Sequence, residues 1–172
     1  MLGGRRGGIL LQNMLTNGGF DNGLTGWLNN GGMASYGVTS GILSFTCNAF
    51  AYFQQNPSPN SILGHKYYMA CKLKTTSAQV QFETFQGFNK YATAGISDYQ
   101  MLSFISTAPA TRTDIIRVVD RRASGYDVIN VDWMIMVDLT NTFCGGVTGT
   151  NNEPNLSWCD ANLSSYFDKL II

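Results

Sequence analysis

The sequence is poor in charge and in long hydrophobic runs. Charged residues make up 13% of the 172 residues, below the roughly one quarter typical of soluble domains, and the formal net charge is zero. A neutral chain has no general electrostatic affinity for nucleic acid or for an anionic membrane surface. The apolar run near the N-terminus, Ile9 to Leu11, is too short for a signal peptide or a membrane span. We therefore expect neither nucleic acid nor membrane as a partner.

Motifs of catalysis and of zinc binding are also missing from the sequence. The single histidine, His65, has no Ser or Cys motif around it, and there is no Gly-x-Ser-x-Gly or P-loop pattern. The four cysteines include no Cys-x-x-Cys pair. Cys71 alternates in phase with apolar neighbours, which predicts a reduced core thiol. Carboxylates such as Glu83 could form a glycosidase pair, but nothing in the sequence fixes their separation, so we expect no enzyme.

Glycine is abundant instead, with 19 residues, and short apolar stretches recur between turn signals. About nine strands at short spacing, with no long helical pattern between them, predict one all-β domain: a two-sheet antiparallel sandwich of jelly-roll type, or a barrel. After a first strand beginning at Asn13, the predicted strands cover 33–38, 42–46, 49–54, 66–75, 79–86, 99–106, 113–121 and 127–140.

The longest predicted strand, 127–140, is the centre of this prediction. Strict alternation places six apolar residues on one face, as expected of a strand that shelters a core beneath a second sheet. Trp133 is assigned to that core, and so is Trp27, which closes a Gly-bounded turn. The face consists of Ile129, Val131, Trp133, Ile135, Val137 and Leu139.

One short helix is predicted near the C-terminus. Asn155 can cap a helix over residues 156–162, with Leu156, Cys159 and Leu163 as its apolar stripe. A helix of about two turns is not stable alone, so it must pack on the sandwich.

The first twelve residues predict a flexible arm, and residues 13–172 the folded domain. The arm combines a basic pair, Arg5 and Arg6, with the apolar residues Ile9, Leu10 and Leu11. These apolar residues either pair with the domain edge as an extra half-strand or dock into a neighbouring subunit. Two arginines neutralise too few phosphates to favour binding of the arm to nucleic acid.

Two segments of the sequence resemble known proteins. Residues 13–27, Asn-Met-Leu-Thr-Asn-Gly-Gly-Phe-Asp-Asn-Gly-Leu-Thr-Gly-Trp, are similar to the opening of jelly-roll carbohydrate-binding modules and of related domains in tailed-bacteriophage structural proteins. Residues 136–143, with Asn152-Glu-Pro154 and 158–162, resemble the closing signature of such phage tail and virion domains. This sequence departs from that signature by inserting residues 144–150. The signature residues, predicted to be structural, are Asp138, Thr140, Phe143, Glu153, Pro154 and Trp158.

The resemblance implies a non-enzymatic virion protein that displays a jelly-roll domain and is anchored by its N-terminal arm. A capsid decoration or head fibre and a tail or baseplate accessory both fit. Such a protein would be made in the host cytoplasm and assembled, as a homo-oligomer, with other virion proteins. The alternative is a glycan-binding module for attachment to the host surface.

The resemblance also implies a structural calcium ion. In the carbohydrate-binding modules, an acidic residue after the opening turn and an aspartate of the last strand hold Ca²⁺ with backbone carbonyls. The matching positions here are Asp21 and Asp132. Otherwise Asp21 makes only an Asx-turn, and Asp132 a backbone hydrogen bond.

A glycan site requires aromatic faces on an exposed sheet beside hydrogen-bonding groups. The polar faces of the predicted strands 66–75 and 79–86 offer such groups, unless their tyrosine only lies on a solvated sheet or at a subunit contact. The candidate residues are Tyr52, Tyr68, Lys72, Gln81 and Glu83.

Overall fold

The computed structural model describes residues 11–29, 32–47, 50–84, 87–111, 115–122 and 127–164. Four predicted anchoring residues of the arm, Arg5, Arg6, Ile9 and Leu10, lie outside these ranges. No helix in the described ranges is long and apolar enough to cross a membrane.

The described chain forms two five-stranded antiparallel sheets and two short helices, which confirms the predicted jelly-roll sandwich. The first sheet has the order β1-β4-β9-β6-β7 and the second the order β2-β3-β10-β5-β8. The strands are β1 (Leu28–Asn29), β2 (Met33–Thr39), β3 (Ile42–Cys47), β4 (Ala51–Gln55), β5 (Lys66–Lys74), β6 (Val80–Thr84), β7 (Asn89–Tyr91), β8 (Gln100–Thr107), β9 (Ile116–Asp120) and β10 (Ile129–Asp138), and the helices are α1 (Leu139–Cys144) and α2 (Leu156–Asn162).

The main core lies between the two sheets. Phe45 and Phe53 meet across it with ring centroids 5.3 Å apart, and Phe82 and Phe104 meet at 5.5 Å. Trp27 is buried in the same cluster, as predicted. Burial of these large apolar surfaces provides the main driving force for the sandwich.

The predicted apolar face of β10 is wrong because the strand carries a β-bulge. The register with β5 shifts between Val131 and Trp133, which reverses the direction of the side chains that follow. Ile129 and Val131, before the shift, and Met134 and Met136, after it, all point into the core between the sheets. A second cluster forms on the opposite face of the sheet and contains Trp133, Ile135, Val137 and Leu139.

Helix α2 covers the second cluster and matches its predicted bounds. The Asn155 side chain accepts a hydrogen bond from the Trp158 backbone N–H, which is the predicted N-cap. Cys159 and Leu163 of this helical segment are buried against the outer face of the second sheet. Leu11, the first described residue, also packs partly buried against this cluster. Both faces of β10 are therefore buried.

All four cysteines are free thiols, and the prediction of a reduced core thiol at Cys71 is confirmed. Cys71 is fully buried in the core, and burial raises its pKa well above the ordinary value. Burial, followed by the nearby carboxylate of Asp120, raises the pKa of Cys47 to about 12. Thiols with pKa values this high stay protonated and unreactive at neutral pH.

Candidate functional site

The outer face of the first sheet presents polar and aromatic side chains. Phe53 on β4, Phe82 on β6 and Val118 on β9 point into the core. Because side chains alternate along a strand, their neighbours point to the opposite face. This places Tyr52 beside Phe53, Gln81 beside Phe82, and Arg117 beside Val118, all on the face turned away from the core.

The register of the strands aligns these side chains in two rows across the sheet. In one row Tyr52 pairs with Val119, Val119 with Gln81, and Gln81 with Tyr91. This row crosses four strands, so Tyr52 and Tyr91 stand about 14 Å apart at the usual strand spacing.

The second row contains the charged groups. Arg117 pairs with Gln54 on one side and with Glu83 on the other, and Glu83 pairs with Asn89 of the edge strand β7. The two rows together give a sheet face with a tyrosine at each end of one row, the apolar Val119 within that row, and polar or charged groups beside it.

Glu83 fixes two arginine side chains on this face. Its carboxylate is only 3% exposed and accepts a hydrogen bond from Nε of Arg117. Nη2 of Arg121 donates to both carboxylate oxygens, at 2.9 and 2.6 Å, and Nε of Arg121 lies 3.4 Å from the Gln81 side-chain oxygen. Charge-assisted hydrogen bonds of this kind hold a guanidinium in one orientation.

Each arginine also lies over an aromatic ring. The Arg117 guanidinium is 4.9 Å from the Tyr52 ring centroid, and that of Arg121 is 5.0 Å from the Phe50 centroid. The two rings meet edge to face at 5.9 Å. Such cation–π contacts add to the rigidity of both partners. We call this surface the arginine–aromatic face; it consists of Phe50, Tyr52, Gln81, Glu83, Tyr91, Arg117 and Arg121.

The aromatic rings of this face remain accessible to a ligand. Tyr91 is 52% exposed and Phe50 39% exposed, while Tyr52 is half-buried. Exposed rings can stack on apolar surfaces of a ligand, and the fixed guanidinium groups beside them can donate hydrogen bonds.

Two of the predicted glycan residues lie elsewhere, so the predicted cluster around Tyr68 is wrong. Tyr68 and Lys72 belong to β5 in the second sheet. The Tyr68 ring is fully buried in the second cluster, and its hydroxyl donates to Asp160 of α2 at 3.0 Å. Burial, together with the Asp160 carboxylate, raises the pKa of Tyr68 far above its ordinary value. A ring covered in this way offers no platform to a sugar.

The structure brings three predicted residues together and adds four that the sequence analysis missed. Tyr52, Gln81 and Glu83 lie on the arginine–aromatic face. Arg117 and Arg121 are an even number of residues apart on one predicted strand, so the sequence did carry a signal that they share a face. The short strand β7 gave no such signal. The four missed residues are Phe50, Tyr91, Arg117 and Arg121.

The two predicted calcium ligands are engaged in separate contacts. The Asp132 carboxylate lies 2.7 Å from the Lys72 ammonium group, which already supplies a positive charge. Asp21 lies in an exposed turn next to Gly41. Within the described ranges there is no group of three or more His, Cys, Asp or Glu side chains that could hold a metal ion. Since Ca²⁺ takes roughly six to eight oxygen ligands, a site at Asp21 and Asp132 would need backbone carbonyl oxygens for most of its ligands.

The calcium ion stays a prediction of the resemblance, and a chelator tests it. If Asp21 and Asp132 hold a structural Ca²⁺, EDTA lowers the melting temperature of the wild-type protein and excess Ca²⁺ restores it, because a bound ion stabilises only the folded state. A melting temperature that does not change with EDTA contradicts the calcium site.

The predicted structural residues near the C-terminus converge in one place. The Asp138 side chain accepts from the Asn141 N–H at 2.8 Å and so caps α1, a helix that the sequence analysis did not predict. The Thr140 hydroxyl accepts from the Lys66 N–H and donates to Glu153, both at 2.9 Å. His65 joins this group through Asp138, 2.8 Å from its Nδ1. We call the residues His65, Lys66, Asp138, Thr140 and Glu153 the closing cluster.

Aromatic residues of the same signature flank the closing cluster. The rings of Phe143 and Trp158 meet edge to face at 5.5 Å, which joins α1 to α2. Pro154 is half-buried directly before the cap of α2. The signature residues thus hold the two helices to each other and to Lys66, the first residue of β5.

Asp138→Ala is expected to lower the free energy of unfolding by about 1–3 kcal/mol. The substitution removes the cap of α1 and leaves the buried His65, whose Nδ1 lies 2.8 Å from Asp138, without that partner. Urea unfolding measures the loss. Ligand affinity is expected to stay unchanged, and a variant as stable as the wild type would contradict the structural role.

Glu153 is expected to make stability depend on pH in the acidic range. Burial alone would raise its pKa, but hydrogen bonds from its own backbone N–H, from Thr140 and from Lys66 outweigh burial and lower the pKa below its ordinary value of 4.5. A group with a lowered folded pKa stabilises the protein above the unfolded pKa, and this contribution is lost as the pH falls further. Urea unfolding of Glu153→Gln between about pH 5 and pH 3 should show a weaker pH dependence than the wild type. Equal slopes would contradict this assignment.

Comparison with known proteins shows the fold. No protein-family model and no curated protein sequence matches this chain. Solved structures with a similar fold include a CBM4 carbohydrate-binding module (TM-score 0.58, 17% identity), which aligns over 72% of this chain and 98% of its own. The N-terminal cellulose-binding domain of β-1,4-glucanase C from Cellulomonas fimi (0.51, 14%) aligns over 73% and 96%. The apo form of a cyclase from Fischerella sp. (0.56, 13%) aligns over 75% and 95%. The chain has the jelly-roll fold of carbohydrate-binding modules.

Proposed function

We propose that this protein is a non-catalytic carbohydrate-binding domain and that the arginine–aromatic face is its glycan site. The observation that carries the proposal is the row from Tyr52 to Tyr91, in which a tyrosine stands at each end and Val119 and Gln81 are buried between them. Arg117 lies over the Tyr52 ring, and Arg121 lies beside Gln81. The fold that the chain shares with carbohydrate-binding modules supports the proposal.

The chemistry of the face suits a sugar chain. A pyranose ring has apolar C–H groups on its faces, which pack on aromatic rings, and hydroxyl groups around its edge, which need hydrogen-bond partners. Tyr91 and Phe50 offer the rings, and the guanidinium groups of Arg117 and Arg121 offer the hydrogen-bond donors. Because Glu83 already holds both guanidinium groups, binding costs little side-chain entropy.

A binding screen tests this function directly. Purified protein is run through native gels that contain a series of soluble polysaccharides, neutral and acidic, and isothermal titration follows every case of retarded migration. At least one polysaccharide is expected to retard the protein relative to bovine serum albumin in the same gel. Migration unchanged in every gel, confirmed by flat titrations, would contradict the proposed function.

We further propose that the domain is displayed on a tailed-phage particle, as a capsid or tail accessory that assembles with itself and with other virion proteins. The resemblance of residues 136–162 to the closing signature of phage virion domains supports this proposal.

Particle association is tested with purified particles and an antibody against this protein. The full chain is expected to sediment with the particles, and a variant that lacks residues 1–12 is expected to fold but to remain in the supernatant. A full-length protein absent from particles would contradict the virion role, and a truncated protein that still sediments would contradict anchoring by the arm.

A further inference from the structure

Among the described residues, the charges on the arginine–aromatic face do not cancel. Two arginines share the single carboxylate of Glu83, so the three charged groups sum to 2 − 1 = +1. Glu83 is buried at 3% exposure, whereas the Arg121 side chain is 36% exposed. The charge that reaches a ligand is therefore positive.

Arg122, which lies shortly after the end of β9, pairs with more negative charge than the positive charge it carries. Arg122 pairs with two carboxylates, Asp120 and Asp127, and its side chain is 15% exposed. Arg122 is thus neutralised by more than one acidic group. Within the part of the chain that the structure describes, Arg117 and Arg121 share only the Glu83 carboxylate, so their charge is less fully compensated.

Several guanidinium nitrogens on the face remain available to bind an anionic ligand group. Arg117 donates to Glu83 through Nε, and Arg121 uses Nη2 and Nε toward Glu83 and Gln81. Among the hydrogen bonds of the described residues, both Nη atoms of Arg117 and Nη1 of Arg121 have no acceptor. Guanidinium groups bind carboxylate and sulfate groups through paired hydrogen bonds, more strongly than they bind neutral hydroxyl groups.

We propose, on the basis of the function proposed above, that the glycan bound on this face is acidic and that Arg117 and Arg121 select its carboxylate or sulfate groups. Tyr91 and Phe50 then stack on the sugar rings, while the guanidinium nitrogens that do not bond to Glu83 or Gln81 hold the anionic groups. Carboxylated and sulfated sugars present the same negative oxygens to a guanidinium, and the experiment below distinguishes them.

Matched pairs of polysaccharides that differ only in charge test this inference. The pairs are polygalacturonate with its methyl ester, alginate with its propylene glycol ester, and a sulfated galactan with its desulfated form. At least one acidic form is expected to bind about tenfold or more tightly than its neutral partner. The pair that shows this difference identifies carboxylate or sulfate as the recognised group. The affinity is also expected to fall as salt rises, since salt screens exposed charges.

Two variants assign the preference to the face. Arg121→Gln is expected to reduce the acidic preference about tenfold, whereas Lys74→Gln, which removes an exposed cation from the second sheet, leaves it unchanged. Urea unfolding checks that Arg121→Gln is folded, and its remaining affinity for the neutral form serves as a second check. An equal loss in both variants would overturn the assignment.

The outcomes separate this inference from the function on which it rests. Equal affinity for acidic and neutral forms, or tighter binding of the neutral forms, overturns the acidic preference and leaves a glycan-binding domain. Failure of all charged and neutral polysaccharides to bind overturns both.

Discussion

Tyr91→Ala is expected to weaken glycan binding about tenfold to a hundredfold, which is the largest effect on affinity that the structure predicts for one residue. Tyr91 ends the row that begins at Tyr52 and is 52% exposed on the edge strand β7. Removing its ring eliminates stacking against a sugar, and aromatic anchors of this kind dominate binding energies. Isothermal titration with the tightest polysaccharide of the screen measures the change.

Tyr36→Ala is the matched control for this prediction. Tyr36 is also 52% exposed, but it lies on β2 in the second sheet, and its ring contacts Phe53 on the core side of β4 rather than the outer face of the first sheet. Its replacement is expected to leave affinity within about twofold of the wild type. Full affinity in Tyr91→Ala, or the same loss in both variants, would contradict the location of the site.

Glu83→Ala is expected to cause the largest loss of stability, about 3 kcal/mol in the free energy of unfolding. The substitution removes a carboxylate that is 3% exposed and leaves Arg117, whose side chain is 16% exposed, without its partner. Breaking a buried ion pair on one side is costly because the remaining charge is no longer compensated. Urea unfolding monitored by tryptophan fluorescence measures the loss.

Two further variants show whether burial is the reason for this loss. Glu83→Gln keeps an acceptor for the arginines and is expected to lose less stability than Glu83→Ala. Lys72→Ala breaks the exposed ion pair with Asp132, in which the side chains are 42% and 32% exposed, and is expected to lose no more than about 1 kcal/mol. A loss in Lys72→Ala equal to that in Glu83→Ala would contradict the argument.

Local patterns in the sequence predicted most strands and one helix correctly. The cap at Asn155 and the stripe of Cys159 and Leu163 are signals within a few residues of each other, and α2 has the predicted bounds. The separation of the strands by Gly and Asn turns also allowed the sandwich to be predicted. These features depend on interactions between near neighbours in the chain.

Features that depend on distant partners were not predicted. The bulge in β10 arises from its pairing with β5, and one extra residue there moved Trp133 from the predicted core to the opposite face. Tyr68 looked like a surface residue of a polar strand face because nothing near it in the chain shows that α2 covers it. Helix α1 begins directly where β10 ends, without a separate apolar pattern of its own.

In the candidate site, too, the features set by near neighbours in the sequence were predicted, and those set by distant contacts were not. Tyr52, Gln81 and Glu83 were predicted from the alternation within single strands. Which strands are neighbours was not predictable, so Glu83 was grouped with Lys72 of the other sheet rather than with Arg117 of β9. Strand order therefore determines the composition of the site.

An NMR titration tests the central claim most directly. Amide chemical shifts of the ¹⁵N-labelled protein are followed as an oligosaccharide of the tightest-binding polysaccharide is added. Binding on the arginine–aromatic face predicts that the largest shifts occur in β4, β6, β7 and β9 of the first sheet, and that amides of α2 and of β2 change little. Shifts confined to the second sheet, or the absence of shifts at saturating ligand, would contradict the claim.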